Sequence, residues 1–393
     1  MKIAFVLNRF YPEVGGAETN LFFQAMELAK HHNLSIFTPR RLPDSKVYEE
    51  IYGFRVWRLR DWWHWRCRYP NISRDTLMPG IFLRILFGNF DLVQLFPALN
   101  HNNILAWLAA KLRRIPVVLC SFDLLDYAEL QKQSGKIDRN CLQDYQPSFW
   151  RRRLYGACDH IFAISNREIE VFRRYNSRVS FSPVPVFLEE FKQLPDKEIL
   201  SKFAFQKTDF LFLVLGRISI IKGQDLAVKA FLRSAARLPG CKLLLVGRSD
   251  YEPEFTEALR QEVRLHQAED RVLFLGLLAR SEVIALLQAS NIMIAPVRFM
   301  NSGAVIVEAW AAGTPVIQSD AVDPNLVVAA ENGFLFQSEN IDALGATMVQ
   351  AYEQRQLLPQ MGQMGQALVK KRFTYPHLIK IYQSVYQQLC PSK

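Results

Sequence analysis

Short apolar runs alternate with amphipathic segments of helical period along this chain, and the alternation occurs in two series. The first series opens with the apolar run at 3–7 and a helical pattern at 18–30. The second opens with the apolar run at 210–215 and a helical pattern at 224–236. Strands that alternate with helices build a parallel sheet covered by helices. The sequence therefore predicts an α/β protein with two such sheets.

The remaining pattern completes both series. Further strands are predicted at 34–37, 91–95, 117–120, 160–164, 242–246, 272–275, 292–295 and 315–318, and further helices at 103–112, 254–266, 281–288 and 304–312. Prolines between 183 and 195 forbid a continuous element there. We therefore predict two Rossmann-like domains, at 1–188 and 189–373, whose parallel sheets face a central cleft. An amphipathic helix at 374–393 needs a surface, which either domain can supply.

Composition excludes several classes of protein. With 50% hydrophobic and 22% charged residues over 393 positions, the chain is an ordinary globular protein rather than a disordered or coiled-coil one. No apolar run approaches the ~18 residues of a membrane span, and the start lacks a signal-peptide cleavage site. The six cysteines form no close pair, and no His-Glu-x-x-His is present. We expect a cytoplasmic protein with free thiols and no bound metal.

The positive charge is concentrated in the first half. The formal net charge is +10, and residues 1–195 hold 27 Lys and Arg against 19 Asp and Glu. A basic surface of this kind suits nucleic acid, anionic lipid or a phosphorylated substrate. The charge alone does not choose between them.

The segment 213–223 carries the most informative pattern. A buried strand ends at Gly216, and Arg217 and Lys222 follow before Gly223 and a helix. At the carboxyl end of a strand in an open α/β sheet, both cations would face the ligand crevice. An Arg fork and a Lys point charge suit a diphosphate. The alternative is a pair of solvated loop cations.

A second segment, 295–317, pairs a helix start with a carboxylate. Asn301, Ser302 and Gly303 are suited to begin a helix whose free N–H groups accept an anionic oxygen. Glu308 lies further along that helix in an apolar stretch, where an uncompensated charge would be costly. It is therefore predicted to hold a ribose diol or, alternatively, to form a salt bridge with a neighbouring helix.

Three motifs together resemble one enzyme family. They are Gly-Arg-x-x-x-x-Lys-Gly at 216–223, Glu-Ala-Trp-Ala-Ala-Gly-Thr-Pro-Val-Ile at 308–317 and Gly-Gly-Ala-Glu at 15–18. In this order they resemble the GT4-type retaining glycosyltransferases of the GT-B fold, over almost the whole chain. The resemblance implies two Rossmann-like domains, a nucleoside diphosphate sugar as donor, retention of anomeric configuration and no obligatory metal. It also implies that the last helix returns to the first domain.

The resemblance assigns roles residue by residue. Arg217 and Lys222 would neutralise the donor diphosphate and act as catalytic residues through leaving-group stabilisation, and Glu308 would hold the ribose hydroxyls. The other implied donor-binding residues are Gly16, Arg248, Leu278, Ser302, Gly303 and Ala304. Two positions depart from the family pattern: Met300 stands where a glutamate is usual, and Phe122 where a histidine is. Asp123, next to Phe122, is the reserve catalytic candidate.

A basic aromatic stretch at 56–69 lies in the first half of the chain. Its predicted acceptor or membrane residues are Trp57, Arg58, Arg60, Trp62, Trp63, Trp65, Arg66 and Arg68. Tryptophan with arginine suits a membrane interface or stacking on acceptor sugars. Packing of the tryptophans in a core is the alternative. Single-stranded nucleic acid fits less well, since nothing else here resembles a nucleic-acid fold.

Together with these patterns, the resemblance implies a retaining glycosyltransferase that needs no metal or cofactor. It would transfer a sugar, most simply UDP- or GDP-linked, to a glycan or lipid-linked acceptor in surface polysaccharide or glycolipid assembly, on the inner face of the cytoplasmic membrane. Three alternatives stay open: a nucleotide-sugar epimerase or hydrolase, a catalytically degenerate nucleotide-sugar-binding protein, and a basic membrane adaptor.

Overall fold

A computed structural model describes most of the chain as two compact units. The described residues are 1–12, 16–42, 44–62, 76–96, 101–121, 147–193, 200–203, 205–206, 208–298, 303–322 and 331–391. The first unit holds the described residues up to Val184 together with the segment from Tyr375 onward, and the second unit is Pro185–Thr374. The units thus divide after 184 and after 374, where the sequence pattern placed boundaries after 188 and 373.

The first unit contains an eight-stranded sheet. Its strands are β1 (Lys2–Val6), β2 (Asn33–Pro39), β3 (Tyr48–Ile51), β4 (Phe54–Leu59), β5 (Leu92–Leu95), β6 (Val117–Cys120), β7 (His160–Ala163) and β8 (Val179–Phe181). The order is β3-β4-β2-β1-β5-β6-β7-β8, and every pairing is parallel except β3 with β4. Its helices are α1 (Gly16–Ala29), α2 (Gly80–Phe87), α3 (His101–Leu112), α4 (Phe149–Ala157) and α5 (Asn166–Arg173).

The antiparallel pair β3–β4 is a hairpin that the sequence analysis did not predict. Ile51 pairs with Phe54 across a two-residue turn, in which Tyr52 and Gly53 both have positive φ, 47° and 84°. Two successive positive φ values match the twist of antiparallel strands. The start of the basic aromatic stretch, including Trp57, therefore lies on a sheet strand.

The second unit contains a six-stranded, fully parallel sheet. Its strands are β9 (Phe210–Leu215), β10 (Cys241–Val246), β11 (Val272–Gly276), β12 (Ile292–Ala295), β13 (Val316–Ser319) and β14 (Gly333–Phe336). Its helices are α6 (Gln224–Arg233), α7 (Pro253–Leu265), α8 (Arg280–Ala289), α9 (Ala304–Ala311), α10 (Ile341–Glu353) and α11 (Leu358–Arg372). The core packs buried strand residues such as Phe212 and Leu243 against helix residues such as Phe231 and Met348.

The strand order of the second sheet marks the place where a ligand would bind. The order is β11-β10-β9-β12-β13-β14, so consecutive strands extend first to one side of β9 and then to the other. In open α/β sheets, ligands bind outside the carboxyl ends of the strands at such a reversal. Here the reversal lies between β9 and β12, whose following loops contain both segments singled out in the sequence.

The last helix, α12 (Tyr375–Leu389), belongs to the first unit. Its buried face includes Leu378, Tyr382 and Tyr386 within the core around β1. The Tyr382 ring stacks on Phe162 with centroids 4.2 Å apart, and its hydroxyl lies 3.1 Å from the Ser182 hydroxyl. Apolar burial and a hydrogen-bonded phenol together hold the helix on this sheet.

Candidate functional site

Main-chain hydrogen bonds join the loops at the carboxyl edge of the second sheet. The donor and acceptor pairs are Gly216 N to Val246 O (2.9 Å), Ile218 N to Arg248 O (2.8 Å), Gly247 N to Gly276 O (2.8 Å) and Arg298 N to Ile221 O (2.9 Å). The loops after β9, β10, β11 and β12 therefore form one connected rim. A rim fixed by its own backbone can present N–H groups and cations to a ligand in a set geometry.

Two glycines permit this close approach. A Cβ at Gly247 would lie 2.1 Å from the Gly216 carbonyl oxygen, and a Cβ at Gly223 would lie 1.9 Å from the Pro296 carbonyl oxygen. Both residues also have positive φ, 144° and 70°. Only glycine meets both conditions without displacing a neighbouring loop.

The two predicted phosphate-binding cations lie on the rim. Arg217 is exposed, and its guanidinium lies 4.2 Å from the ring centroid of Tyr251. Lys222 ends the 3₁₀ turn Ile220–Lys222, and its side chain runs back towards Gly216. The structure thus gives both cations to the same loop, with the Arg217 side chain oriented by an aromatic face.

Gln224 is a buried residue that hydrogen-bonds to this loop, and the sequence analysis did not identify it. Its buried side-chain amide donates to the carbonyl oxygen of Arg217 at 2.9 Å, and its own oxygen accepts from the N–H of Ser219 at 3.2 Å. A buried amide bonded on both sides fixes the main chain that carries Arg217. A polar residue directly after the Lys-Gly pair was the available signal.

Arg298 is a second supporting residue that the sequence analysis did not identify. It forms a bidentate pair with Asp225 at 2.7 and 2.8 Å and donates to the Ile220 carbonyl oxygen at 2.6 Å. Its third ion-pair contact, to Glu339, is also 2.6 Å. A bidentate Arg–carboxylate pair has a fixed geometry. Arg298 therefore fixes the turn that carries Lys222.

The remaining predicted donor residues lie on neighbouring loops. Arg248 follows β10 and forms an exposed bidentate pair with Asp250, at 3.0 and 2.7 Å. Leu278 follows β11, next to the loop of Gly247. Gly303, with φ 59°, precedes α9, and Ala304 is the first residue of that helix. Ser302 and Met300 lie outside the described residues.

Glu308 lies in α9 and forms the predicted alternative contact, a salt bridge. Its carboxylate accepts a hydrogen bond of 2.6 Å from Arg280, the first residue of α8, and its side chain is 21% exposed. Burial raises the pKa of the Glu308 carboxyl, and the charge of Arg280 opposes this. The ribose contact remains a prediction, and a bound diol would have to share this carboxylate with Arg280.

In the first unit, one implied site residue is described and one is not. Gly16 is the first residue of α1, which follows β1 at the carboxyl edge of the sheet. Asp123 and Phe122 lie outside the described residues.

The basic aromatic stretch divides into buried and exposed parts. Arg58 is only 4% exposed, pairs with Glu49 at 2.5 Å and donates to the Tyr11 carbonyl oxygen at 2.7 Å. The prediction that Arg58 contacts an acceptor or a membrane was therefore wrong, because its guanidinium is buried and bonded to Glu49 and Tyr11. Arg60 is exposed, and Trp62 is 58% exposed. Trp63, Trp65, Arg66 and Arg68 lie outside the described residues.

Trp57 lies between two side chains at the edge of a cavity of about 310 Å³. Its ring is 4.4 Å from that of Tyr48, and the Arg84 guanidinium is 4.3 Å from its centroid.

Three cations from separate elements line the cavity: Lys2, Arg55 and Arg84. On α2 beside it, Leu83 and Phe87 are 55% and 80% exposed. Across the β3–β4 hairpin, the residue in register with Arg55 is Glu50. We call these five residues, the three cations with Leu83 and Phe87, the α2 surface.

The described part of the chain has neither a membrane-spanning helix nor a cluster of metal ligands. No described helix has the length and apolarity required to cross a bilayer. No group of three His, Cys, Asp or Glu side chains among the described residues is placed to hold a metal ion.

Comparison with known proteins identifies the family. The profile of glycosyl transferases group 1 matches residues 195–368, and that of Glycosyltransferase Family 4 matches residues 14–187. The two matches coincide with the two units and contain the loops described above. The chain belongs to the GT4-type glycosyltransferases and has the GT-B fold.

Individual relatives agree with this assignment. Alpha-monoglucosyldiacylglycerol synthase of Streptococcus pneumoniae is 23% identical over 362 residues, which are 88% of this chain and 78% of that protein. Sucrose-phosphate synthase from Thermosynechococcus elongatus superimposes with a TM-score of 0.75 at 20% identity, covering 99% of this chain and 98% of that one. HepE of Anabaena, solved with UDP and glucose, gives a TM-score of 0.72 at 19% identity, covering 99% and 100%. For two other curated relatives the match spans only about half of their length, 51% and 48%.

Proposed function

We propose that this protein is a retaining glycosyltransferase that transfers a sugar from a nucleoside diphosphate sugar to a glycan or lipid-linked acceptor. The observation that carries the proposal is the connected rim at the reversal point of the second sheet, with Arg217 and Lys222 on one loop. Membership of the group 1 glycosyltransferases supports a transferase, and the UDP complex of HepE supports a nucleotide-sugar donor. In this proposal the nucleotide of the donor is UDP or GDP.

The rim residues would act by charge stabilisation. In sugar transfer the bond from the anomeric carbon to the diphosphate breaks, and negative charge develops on the leaving phosphate oxygen. Arg217 and Lys222 would stabilise that charge, since both cations are already positioned before reaction. Glu308 would accept hydrogen bonds from the ribose. No side chain need act as nucleophile, because the acceptor hydroxyl attacks on the face that the diphosphate leaves and a phosphate oxygen takes its proton.

The same arrangement supports a metal-independent reaction as part of the proposal. Two fixed cations can neutralise a diphosphate in the place of a divalent ion. The sequence has no Asp-x-Asp, the motif in which paired carboxylates would present a metal to the donor. Activity in the presence of a strong chelator tests this point directly.

For the acceptor we propose a lipid-linked molecule at an anionic membrane, in glycolipid or surface polysaccharide assembly. The similarity to an alpha-monoglucosyldiacylglycerol synthase over 88% of the chain supports this class of acceptor. The α2 surface supports the membrane contact, because Lys2, Arg55 and Arg84 match lipid phosphates and Phe87 can enter the interface.

The experiment measures nucleotide release from UDP- and GDP-sugars, with and without a lipid extract as acceptor. Arg217→Ala or Lys222→Ala should lower turnover by roughly 10²-fold, the scale of losing one electrostatic donor to a leaving group. Arg264→Ala is the control, since Arg264 makes an exposed ion pair with Glu257 on α7. Nucleotide release that does not need an acceptor would instead indicate a hydrolase, and conversion of the donor to another nucleotide sugar would indicate an epimerase. Full turnover in both rim variants would refute the diphosphate assignment.

A further inference from the structure

Arg280 connects two carboxylates in the second unit. Its Nη1 donates to Glu308 Oε1 at 2.6 Å, and its Nη2 and Nε donate to Glu190 Oε2 at 2.9 and 3.2 Å. The guanidinium also lies 5.5 Å from the ring centroid of Phe191. Three N–H groups and one face of Arg280 are therefore engaged, so its position relative to Glu308 is fixed from both sides.

The contact uses one oxygen of the Glu308 carboxylate. The hydrogen bond from Arg280 ends on Oε1, and the structure records no protein donor to Oε2 among the described residues. A carboxylate oxygen can accept a further hydrogen bond while its partner oxygen is occupied. Glu308 is thus held through Oε1, and no described residue donates to its Oε2.

The charge of Arg280 matters as much as the orientation. Burial favours the neutral form of the Glu308 carboxyl and raises its pKa, whereas the guanidinium favours the ionised form. An ionised carboxylate accepts stronger hydrogen bonds from hydroxyl groups than a neutral acid does. Without Arg280, Glu308 would lose both its orientation and part of its charge.

We propose that Arg280 is a positioning residue for donor recognition, which orients Glu308 for the ribose diol and is itself held by Glu190. The inference rests on the proposed nucleotide-sugar function and adds a residue that lies outside every motif used to derive it. Glu190 belongs to the turn Leu188–Phe191 at the start of the second unit. Donor recognition would therefore depend on that turn as well as on the rim.

The test compares dissociation constants of UDP and 2′-deoxy-UDP, with GDP and 2′-deoxy-GDP in parallel, by calorimetry on the full chain. The wild-type protein should prefer the ribonucleotide by roughly 10-fold or more, the scale of a hydrogen bond to a charged group. Arg280→Met should remove most of this preference and leave the affinity for the deoxynucleotide nearly unchanged. Arg280→Lys should keep part of it. If Arg280 had a purely structural role, Arg280→Met would weaken the binding of both nucleotides equally.

Two further variants separate the possible failures. If Glu308→Gln loses the preference but Arg280→Met keeps it, the positioning role is refuted and the donor site stands. If Glu308→Gln also keeps it, the ribose role of Glu308 is refuted. Arg264→Met, which breaks an exposed ion pair on α7, should change neither the dissociation constant of the ribonucleotide nor that of the deoxynucleotide. Should Arg280→Met fail to fold, Glu190→Gln takes its place, with a smaller loss expected and an unchanged preference contradicting the proposal.

Discussion

The side-chain amide of Gln224 donates a hydrogen bond of 2.9 Å to the main-chain carbonyl of Arg217. A residue inside the core of the second unit thereby determines the backbone position of a cation on its surface. The proposed chemistry depends on that cation, so a substitution beneath the rim should change activity without touching the ligand.

Gln224→Met tests this dependence. Methionine fills a similar volume but leaves the Arg217 carbonyl and the Ser219 N–H without their partner, which should lower the free energy of unfolding by about 1–3 kcal/mol. Turnover should fall as well, at temperatures where the variant remains folded. Denaturant unfolding and nucleotide-release assays give the two values.

Gln366→Met is the matched control for this variant. The Gln366 amide donates to the Ala311 carbonyl oxygen at 3.2 Å, at the end of α9 and away from the loop of Arg217. Gln366→Met should lower the free energy of unfolding but leave the turnover of the folded protein unchanged. Equal effects of the two variants on turnover would show that Gln224 has no particular role at the rim.

Gly223→Ala tests the close approach of two rim loops. The added Cβ would lie 1.9 Å from the Pro296 carbonyl oxygen. Gly240 has nearly the same φ, 65° against 70°, but nothing lies within 4 Å of a Cβ there. Gly240→Ala should therefore cost only the left-handed backbone penalty of roughly 1–2 kcal/mol, and Gly223→Ala clearly more. Thermal unfolding of both variants measures the difference, and equal losses would contradict the packing argument.

His160 predicts a dependence of stability on pH. Burial and the nearby charge of Arg178 lower its pKa from 6.5 to about 4, and its ring nitrogen lies 2.8 Å from the Ser180 hydroxyl. The folded protein keeps this histidine neutral where the unfolded chain protonates it. Because the unfolded state then binds more protons, stability contributed above pH 6.5 should be lost as the pH falls towards 4.

Urea unfolding between pH 7 and pH 4 measures this dependence. His160→Gln should reduce the slope of the profile in that window without abolishing it, because burial lowers the pKa of His32 to about 4 as well. His266→Gln, at the exposed end of α7, is the control. An unchanged profile in the His160 variant would mean that other groups dominate the acid response.

The α2 surface predicts selective binding to anionic vesicles. Full-length protein should sediment with vesicles that contain phosphatidylglycerol and not with pure phosphatidylcholine, and salt should weaken the binding. Phe87→Ser together with Arg84→Gln should reduce it severalfold. Leu112→Ser is the control, since Leu112 is 68% exposed at the end of α3 and outside the α2 surface. Undiminished binding of the double variant would move the contact to another surface.

The strands and the order of the motifs were predictable because their signals are local. The apolar run at 210–215 became β9 and the run at 292–295 became β12, with the predicted bounds. Periodicity reports which segments are buried, and glycines report where the backbone must turn or approach closely. The loop that carries Arg217 and Lys222 could be located from Gly216 and Gly223 for this reason.

Contacts between distant segments were not predictable in the same way. Arg58 lies only two residues from the exposed Arg60, and its burial follows from the β3–β4 hairpin that brings Glu49 beside it. Likewise, Glu308 was expected to need a partner, but nothing local indicated Arg280, which lies 28 residues away. Charge pairing across elements depends on the fold and has no periodic signal.

Binding of nucleoside diphosphates to the folded protein tests the central claim most directly. Thermal unfolding with UDP, GDP and ADP, without metal, should show a rise in melting temperature that is selective for one base, because a ligand of the native state stabilises it. Arg217→Ala should abolish most of that rise while it unfolds at nearly the wild-type temperature without ligand. A protein that unfolds cooperatively and shows no rise with any of the three would contradict the assignment of a nucleotide-sugar site to this rim.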